Sequence, residues 1–447
     1  MIFLSSLIFY GFWRIEFIPV MMISVFSDYF ISLKMPGSNQ ITKKRLVVLS
    51  VIINLCLLFY FKYLIFFANN AIGFINLLGF EIDPIFLNII LPLGISFYTF
   101  QTISYSVDVY RGFIEPEKNF FLYASYVTFF PQLVAGPVLR ASEVIHQLSK
   151  RSNFSIQLFI NGIKRIIYGL FLKVVLADNI APLVDTGFLI TASELSALDV
   201  LTLSYLFGFQ IYFDFSAYSH IAIGCALLMG IKFPENFNFP YLASSPKDFW
   251  KRWHISLSSW IRDYLYLPLT GAKVVNKSIG GIVEKSSRNS NSALFYTWAI
   301  MGLWHGANWT FVVWGLYHAI FIFLHRKISS YKNAFTNSKI VINIGALFTL
   351  PIMMIGWIPF RADSIDITFN MWSRLLDINN YTYLAMRENV YLVAFLLLIA
   401  MYFVYLVGQY KNLKKMSNDF KYLFYPIIIS LIFIFLRPIN QFIYFQF

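Results

Sequence analysis

The sequence has 447 residues, of which 58% are hydrophobic, 19% aromatic and 13% charged, and its mean hydropathy is +0.64. Soluble domains carry about 25% charged residues, so this composition excludes an ordinary soluble protein and predicts a lipid-embedded one. The net charge of +13 lies in short loops beside apolar runs, as positive-inside loops do, which argues against a folded nucleic-acid-binding face.

Uncharged runs long enough to cross a hydrocarbon core of about 30 Å recur along the chain. They predict an all-α polytopic membrane protein with about 8 to 11 transmembrane helices, organised as one membrane domain over residues 1–447. The clearest runs lie at 87–107, 120–139, 291–317, 340–360 and 390–410.

Charge divides the connecting loops between two sides of the membrane. Loops rich in Lys and Arg are expected in the cytoplasm, and loops without either residue are expected outside. The basic loops are 34–45, 232–290, 325–339 and 411–421, and the loops without Lys or Arg are 68–86 and 178–199.

Residues 120–139 break the alternation of sides, because basic loops are expected both before and after them. The run contains FFPQLVAGP, with Pro131, Gly136 and Pro137, and proline cannot continue a helical hydrogen-bond ladder. We therefore expect a re-entrant element, which is tolerated at membrane depth only when protein or a cavity surrounds it.

Residues 291–324 form a second exception, with cytoplasmic signals on both flanks. A single helix of this length would be about 50 Å long, well beyond the bilayer core, so two short arms forming a re-entrant hairpin fit better. Gly302 and Gly306 weaken the helix near its middle, which places His305 near the turn.

Ionisable or polar groups within apolar runs are costly and mark candidate sites. Asp214 interrupts an apolar run and is best interpreted as structural, either paired with a neighbouring base or capping a helix break. His305 can remain neutral in an apolar setting and accept a proton from a hydroxyl, although a purely structural histidine is an equal alternative. His318, in the same stretch, favours the structural interpretation, and the role of His220 stays open.

Residues 236–269 combine bases and aromatics, including Arg252, Trp253, His254 and Arg262. Such a segment is typical of an interfacial anchor at the lipid head groups. The alternative is a cytoplasmic mouth whose arginines hold a phosphate-bearing donor. The composition fits both, but the anchor does not account for His254.

Several other chemistries have no support in the sequence. No serine-hydrolase elbow, zinc-ligand spacing, Walker loop or Rossmann fingerprint occurs. Cys56 and Cys225 lie in apolar runs and indicate neither a disulfide nor a metal site.

Several segments together resemble the membrane-bound O-acyltransferase family, and within it the bacterial alginate O-acetylase branch. The likeness extends over nearly the whole chain, and the histidine-bearing blocks are its most specific part. The segments include FFPQLVAGPVLR (129–140), QIYFDFSAYSHIAIG (210–224), WHISLSSW (253–260) and MGLWHGANWTFVVWGLYHA (301–319).

The resemblance implies a helical bundle around a central tunnel, in a bacterial inner membrane. It implies that His305 is the hallmark catalytic histidine and His254 the second catalytic position. Arg252, Arg262, Trp253 and Asn308 are candidate donor-binding residues. The implied co-substrate is acetyl-CoA, with no bound cofactor, and the implied acceptor is an exported polysaccharide served by an extracytoplasmic acetyltransferase partner.

Two features depart from the family pattern. His220 stands where the block around Asp214 usually ends in an acidic residue, and relatives typically carry another apolar span before the first one here. Two other functions remain as alternatives. One is D-alanyl or other acyl transfer to teichoic acid, lipid or protein. The other is a transporter or channel without acyl chemistry.

Overall fold

A computed structural model describes residues 1–150, 153–274, 283–284, 290–330, 339–409, 421–438 and 441–443. Most of the described chain is helical. Its helices are α1 (Ile2–Arg14), α2 (Ile18–Leu33), α3 (Gln40–Leu58), α4 (Leu64–Leu77), α5 (Ile95–Tyr110), α6 (Phe120–Thr128), α7 (Ala141–Leu148), α8 (Ile156–Leu170), α9 (Asp178–Phe188), α10 (Ala197–Leu228), α11 (Pro246–Trp250), α12 (Ile255–Ile261), α13 (Leu267–Thr270), α14 (Ser290–His305), α15 (Trp309–Ser330), α16 (Lys339–Ile355), α17 (Ile358–Arg361), α18 (Ile365–Leu376), α19 (Glu388–Gln409) and α20 (Lys421–Phe435).

Short irregular turns join several of these helices into longer rods. π-helical turns at Phe59–Tyr63, Phe171–Ala177 and Arg262–Tyr266 connect α3 to α4, α8 to α9 and α12 to α13. 3₁₀ turns occur at Ile15–Phe17, Pro240–Leu242 and Ile378–Tyr381. The described strands are an antiparallel pair of two residues each, β1 (Lys273–Val274) and β2 (Val283–Glu284).

Within the described residues, six helical stretches are long and apolar enough to cross a membrane. The predicted all-α polytopic membrane class is therefore confirmed, while the total number of crossings stays a prediction. The six are Ile2–Leu33, Gln40–Leu77, Ile156–Phe188, Ala197–Leu228, Trp309–Ser329 and Glu388–Val407, and two shorter apolar helices lie at Gly345–Arg361 and Leu423–Phe435.

The apolar run 87–107 is only partly helical, because α5 begins at Ile95 after a non-helical stretch. Gly94 has a left-handed φ of 73°, and a Cβ atom there would lie 2.2 Å from the carbonyl oxygen of Leu133. Glycine is therefore required at this position, both for its backbone conformation and for the close approach of the chain after α6.

The chain between α6 and α7 is irregular and buried. The backbone N–H of Val138 donates to Ser256 Oγ at 2.9 Å, and that of Phe130 donates to Ser6 Oγ at 3.2 Å. Arg140 ends the segment in an ion pair with Asp263 at 2.7 Å. Partners from distant parts of the sequence thus satisfy polar groups of this buried, non-helical backbone, and its re-entrant position in the membrane stays a prediction.

Asp214 lies in a buried ionic cluster between α8, α9 and α10. Lys173 Nζ is 2.7 Å from Asp214 Oδ1 and 2.9 Å from Asp178 Oδ1. The backbone N–H of Ile443 donates to Asp214 Oδ2 at 2.7 Å. The structural interpretation of Asp214 therefore has a physical basis, since one buried ammonium is shared by two carboxylates.

We expect Lys173→Ala to destabilise the protein by about 3–5 kcal/mol, because it leaves two carboxylates without their buried cation. The melting temperature of the purified protein in detergent measures this loss. Lys150→Ala, which removes an exposed lysine, should leave the melting temperature unchanged. Equal melting temperatures for both variants would contradict the assignment.

Candidate active site

His305 is the last residue of α14, and it is 6% exposed. Its ring centroid lies 4.8 Å from that of Trp304, 4.8 Å from Trp314 and 5.3 Å from Phe360. These aromatic rings pack against the imidazole, so bulk water is excluded from their side of the ring.

Close packing of α14 against α15 fixes the position of this helix end. A Cβ atom on Gly302 would lie 2.2 Å from the Phe311 carbonyl oxygen, and one on Gly315 would lie 2.1 Å from that of Trp298. The helices thus meet backbone to backbone. α14 runs through Gly302 and ends at His305, and Gly306 lies outside both helices, so the predicted break near His305 is confirmed. The side of the membrane that the two ends face stays a prediction.

His254 immediately precedes α12, at its N-cap position, and is 1% exposed. Its φ of 43° is rare for a residue other than glycine, and such strained backbone clusters at functional sites. The His254 Nδ1 atom is 3.1 Å from Asn236 Oδ1. Burial lowers the pKa of His254 to about 3, so its imidazole is neutral at physiological pH.

Hydrogen bonds assign the tautomer of His254. The backbone N–H of Ser256, which can only donate, points to Asn236 Oδ1 at 3.3 Å, and Asn236 Nδ2 donates to Ser219 Oγ at 3.1 Å. Because Oδ1 is therefore the acceptor, His254 Nδ1 carries the proton. Its Nε2 atom is left with the lone pair that a proton relay or hydrogen-bond acceptor needs.

A cavity of about 420 Å³, termed here the basic cavity, opens beside this site. Four bases line it, Lys247, Lys251, Arg262 and Arg326, and its apolar wall includes Trp250, Trp298 and Met301. Met301 lies one helical turn before His305.

An aromatic layer separates the basic cavity from His305. Trp250 and Trp298 contact Trp314, with ring centroids 5.7 and 6.2 Å apart, and Trp314 in turn contacts His305. His318 lies in this layer, fully buried, 5.0 Å from the Trp250 ring. Neither of its ring nitrogens has a hydrogen-bond partner in the described part of the chain.

The structure separates the predicted donor-binding residues. Arg262 lines the basic cavity and pairs with Asp263 at 2.7 Å. Arg252 instead pairs with Asp248 at 3.0 Å, one helical turn earlier. Neither Arg252 nor Trp253 is among the residues that line the cavity.

Trp253 and Asn308 have other surroundings. The Trp253 ring packs inward against Phe249 and Trp357 at 5.6 and 4.8 Å. Asn308 Oδ1 accepts from the Thr310 backbone N–H at 3.1 Å, so it caps α15. Its predicted role toward the imidazole or a donor carbonyl stays a prediction.

A family model for the membrane-bound O-acyltransferases matches residues 116–360. The chain is 36% identical to the "probable alginate O-acetylase AlgI" of Azotobacter vinelandii over 383 residues, which cover 85% of this chain and 72% of that protein. It is 37% identical to a peptidoglycan O-acetyltransferase of Helicobacter pylori over 413 residues, covering 84% and 73% of the two chains.

The chain belongs to the membrane-bound O-acyltransferase family. It is therefore an acyltransferase and a multi-pass membrane protein, and the transporter alternative is not retained. A teichoic acid D-alanyltransferase of Bacillus subtilis is 31% identical over 239 residues, covering 52% of this chain and 58% of its own. The segment 116–360, which the family model matches, includes His254, His305 and the residues that line the basic cavity.

Sequence reasoning missed three side chains around the two histidines. Asn236, which holds His254, was not distinguished from the surrounding aromatic segment. Lys62 and Tyr63, which hold the end of α14, lie about 240 residues from it along the chain. The signal for Lys62 was present, since a lysine within an apolar run marks a candidate site.

We expect Asn236→Ala to lower acyl transfer by about tenfold, because the Nδ1–H of His254 loses its acceptor. Asn236→Asp keeps an acceptor, but its negative charge raises the pKa of His254. Activity of that variant should therefore fall as the pH is lowered, because His254 becomes protonated and loses its Nε2 lone pair. The rate of transfer measured from pH 5 to 8 tests both.

Asn238→Ala is the matched control for these variants, because it removes an exposed asparagine side chain two residues away. Its rate should equal that of the unmodified protein throughout the pH range. A wild-type rate for Asn236→Ala would refute the role of Asn236.

Proposed function

We propose that this protein, in a bacterial inner membrane, moves acetyl groups from cytoplasmic acetyl-CoA toward hydroxyl groups of an exported polysaccharide. We further propose that an extracytoplasmic acetyltransferase partner completes the transfer. The observation that carries the proposal is a buried histidine at a helix end, one aromatic layer from a basic cavity. Relatives named as alginate and peptidoglycan O-acetyltransferases support both the acetyl group and the glycan acceptor.

The basic cavity suits a nucleotide-linked thioester. Lys247, Lys251 and Arg326 at its rim can bind the phosphates of coenzyme A, since ammonium and guanidinium groups form charge-assisted bonds to phosphate oxygens. Trp250, Trp298 and Met301 offer an apolar wall to the pantetheine arm. The volume of about 420 Å³ lies within the range of small-molecule sites.

The reaction requires one proton acceptor and a dry site. In our proposal the acceptor hydroxyl oxygen attacks the thioester carbonyl carbon while His305 takes the hydroxyl proton. The carbon–sulfur bond then breaks, and the departing thiolate receives that proton from His305. General base catalysis of this kind contributes about 10²–10⁴-fold, and the aromatic rings around His305 exclude competing water.

His254 has a supporting role in this proposal. Its neutral ring, fixed by Asn236, presents the Nε2 lone pair to accept a hydrogen bond from the acceptor hydroxyl or to relay its proton.

D-alanyl transfer to teichoic acid is the alternative within the family. The relative with that name covers about half of this chain, whereas the O-acetyltransferases cover more than four fifths. Acetyl transfer to a glycan is therefore the preferred proposal.

His305→Ala should abolish acetylation while the protein still inserts and folds, because no other group replaces the base. The measurement is acetate released by mild alkali from the surface glycan of cells that carry each variant, alongside the amount of protein in the membrane. His146→Ala, which removes an exposed histidine, should retain full acetylation. Wild-type acetate release by His305→Ala cells would refute the proposed role.

The donor assignment is tested with Lys247→Ala and Lys251→Ala, both of which remove exposed cavity bases. Each should raise the KM for acetyl-CoA about two- to fivefold, as expected for a solvent-exposed ion pair. S-acetylpantetheine, which lacks the nucleotide phosphates, is the control donor, and its KM should not change. An equal rise for both donors would show that the lysines do not bind phosphate.

A further inference from the structure

The last turn of α14 ends in carbonyl groups that no later helical N–H can reach. Tyr63 Oη donates to the carbonyl oxygen of Leu303 at 3.0 Å. Lys62 Nζ donates to the carbonyl oxygens of Trp304 at 2.6 Å and His305 at 3.0 Å. Two adjacent side chains therefore hold three successive carbonyls, the last of which belongs to His305.

An unusual backbone turn presents these two side chains together. Lys62 and Tyr63 belong to the π-helical turn Phe59–Tyr63 between α3 and α4. Neighbouring side chains of a regular α-helix point about 100° apart and do not share a face. π turns are rare and frequently lie at functional sites, and here both side chains reach one helix end.

The carbonyl end of α14 is a favourable location for the Lys62 ammonium group. Lys62 lies within the candidate membrane span Gln40–Leu77, where an ammonium group is costly and marks a site. Its hydrogen-bond acceptors are the carbonyl oxygens at the negative end of the α14 dipole, which favours a cation. Nζ also lies 5.9 Å from the centroid of the Trp304 ring.

Contacts on the other flank hold the turn after His305. Asn70, on α4, accepts a hydrogen bond from Trp309 Nε1 at 2.7 Å, and the rings of Phe66 and Trp309 are 5.5 Å apart. A Cβ atom on Gly306 would lie 2.0 Å from the Phe311 ring. The backbone around His305 is thus fixed between α4 on one side and α15 on the other.

We propose that Lys62, supported by Tyr63, is a positioning residue that sets the location of the His305 imidazole by holding the carbonyl end of α14. The inference rests on the proposed role of His305 as the general base. Both residues lie outside the segment that the family model matches. The N-terminal helices therefore take part in the active site without supplying a reacting group.

Lys62→Met should reduce kcat by about ten- to a hundredfold, since a misplacement of about 1 Å can cost a hundredfold. The KM for acetyl-CoA should not change, because the basic cavity is intact. Lys62→Arg should recover part of kcat, because a guanidinium group can also donate to two carbonyls. Tyr63→Phe should cause a smaller loss than Lys62→Met.

Two substitutions in the same helical rod serve as matched controls. Lys44→Met removes an exposed lysine of α3, and Tyr60→Phe removes an exposed hydroxyl in the same π turn. Both should retain the wild-type kcat. A Lys62→Met variant with an unchanged kcat, or with only a raised KM, overturns the proposal. The proposal is also overturned if Lys62→Met lowers both kcat and the melting temperature and Lys62→Arg restores neither.

A second measurement does not depend on acyl transfer. Diethyl pyrocarbonate modifies neutral imidazole, and mass spectrometry can compare His305 with the exposed His146 in the same sample. Lys62→Met should raise the modification of His305 relative to His146 several-fold, and Lys44→Met should not.

The two measurements also separate the two proposals. If the unmodified protein transfers no acetyl group, the proposed function fails, and the modification ratio alone then decides the positioning of His305. An unchanged ratio in Lys62→Met overturns the positioning claim. If Lys62→Met does not accumulate in the membrane, Lys62→Arg and Tyr63→Phe are compared in its place.

Discussion

A backbone polar group inside a bilayer must find its partner within the protein, and the architecture of the site depends on that constraint. The end of α14 and the irregular segment between α6 and α7 both break helical hydrogen bonding at buried positions. The first obtains its partners from Lys62 and Tyr63, and the second from side chains such as Ser256. Each break thereby ties together parts of the chain that are far apart in sequence.

Breaks in helical structure also position the two candidate catalytic histidines. His305 stands at a helix end with its ring among aromatic side chains. His254 likewise begins a helix, in a left-handed backbone conformation. The two candidate catalytic histidines thus occupy helix termini. Lys62 holds the backbone carbonyl of His305, and Asn236 holds the ring of His254.

Composition and run length were sufficient to predict an all-α membrane protein, because lipid exposure demands apolar helices whatever their arrangement. The break near His305 was also predictable, since no helix of that length fits the bilayer. The contact of Lys62 with α14 was not, because the pattern of one segment does not determine which distant helix it meets. The pairing of Arg252 with Asp248 could have been read from their spacing of four residues.

The donor-binding residues were likewise only partly predictable from the sequence. The basic and aromatic character of residues 236–269 indicated a mouth for an anionic donor, but it did not distinguish the bases that face the cavity from those that face a neighbouring carboxylate. Arg326 reaches the cavity from α15, outside that segment. Only the packing of α15 against the 247–266 region brings it there.

In the proposed reaction, a donor bound in the basic cavity must pass the aromatic layer of Trp250, Trp298 and Trp314 to reach His305. A structure of the protein with a non-transferable thioether analogue of acetyl-CoA tests this requirement most directly. We predict phosphate density beside Lys247, Lys251 and Arg326, with the acyl end of the analogue beside the His305 imidazole. An analogue bound in another part of the molecule, or one whose acyl end points away from His305, would contradict the account.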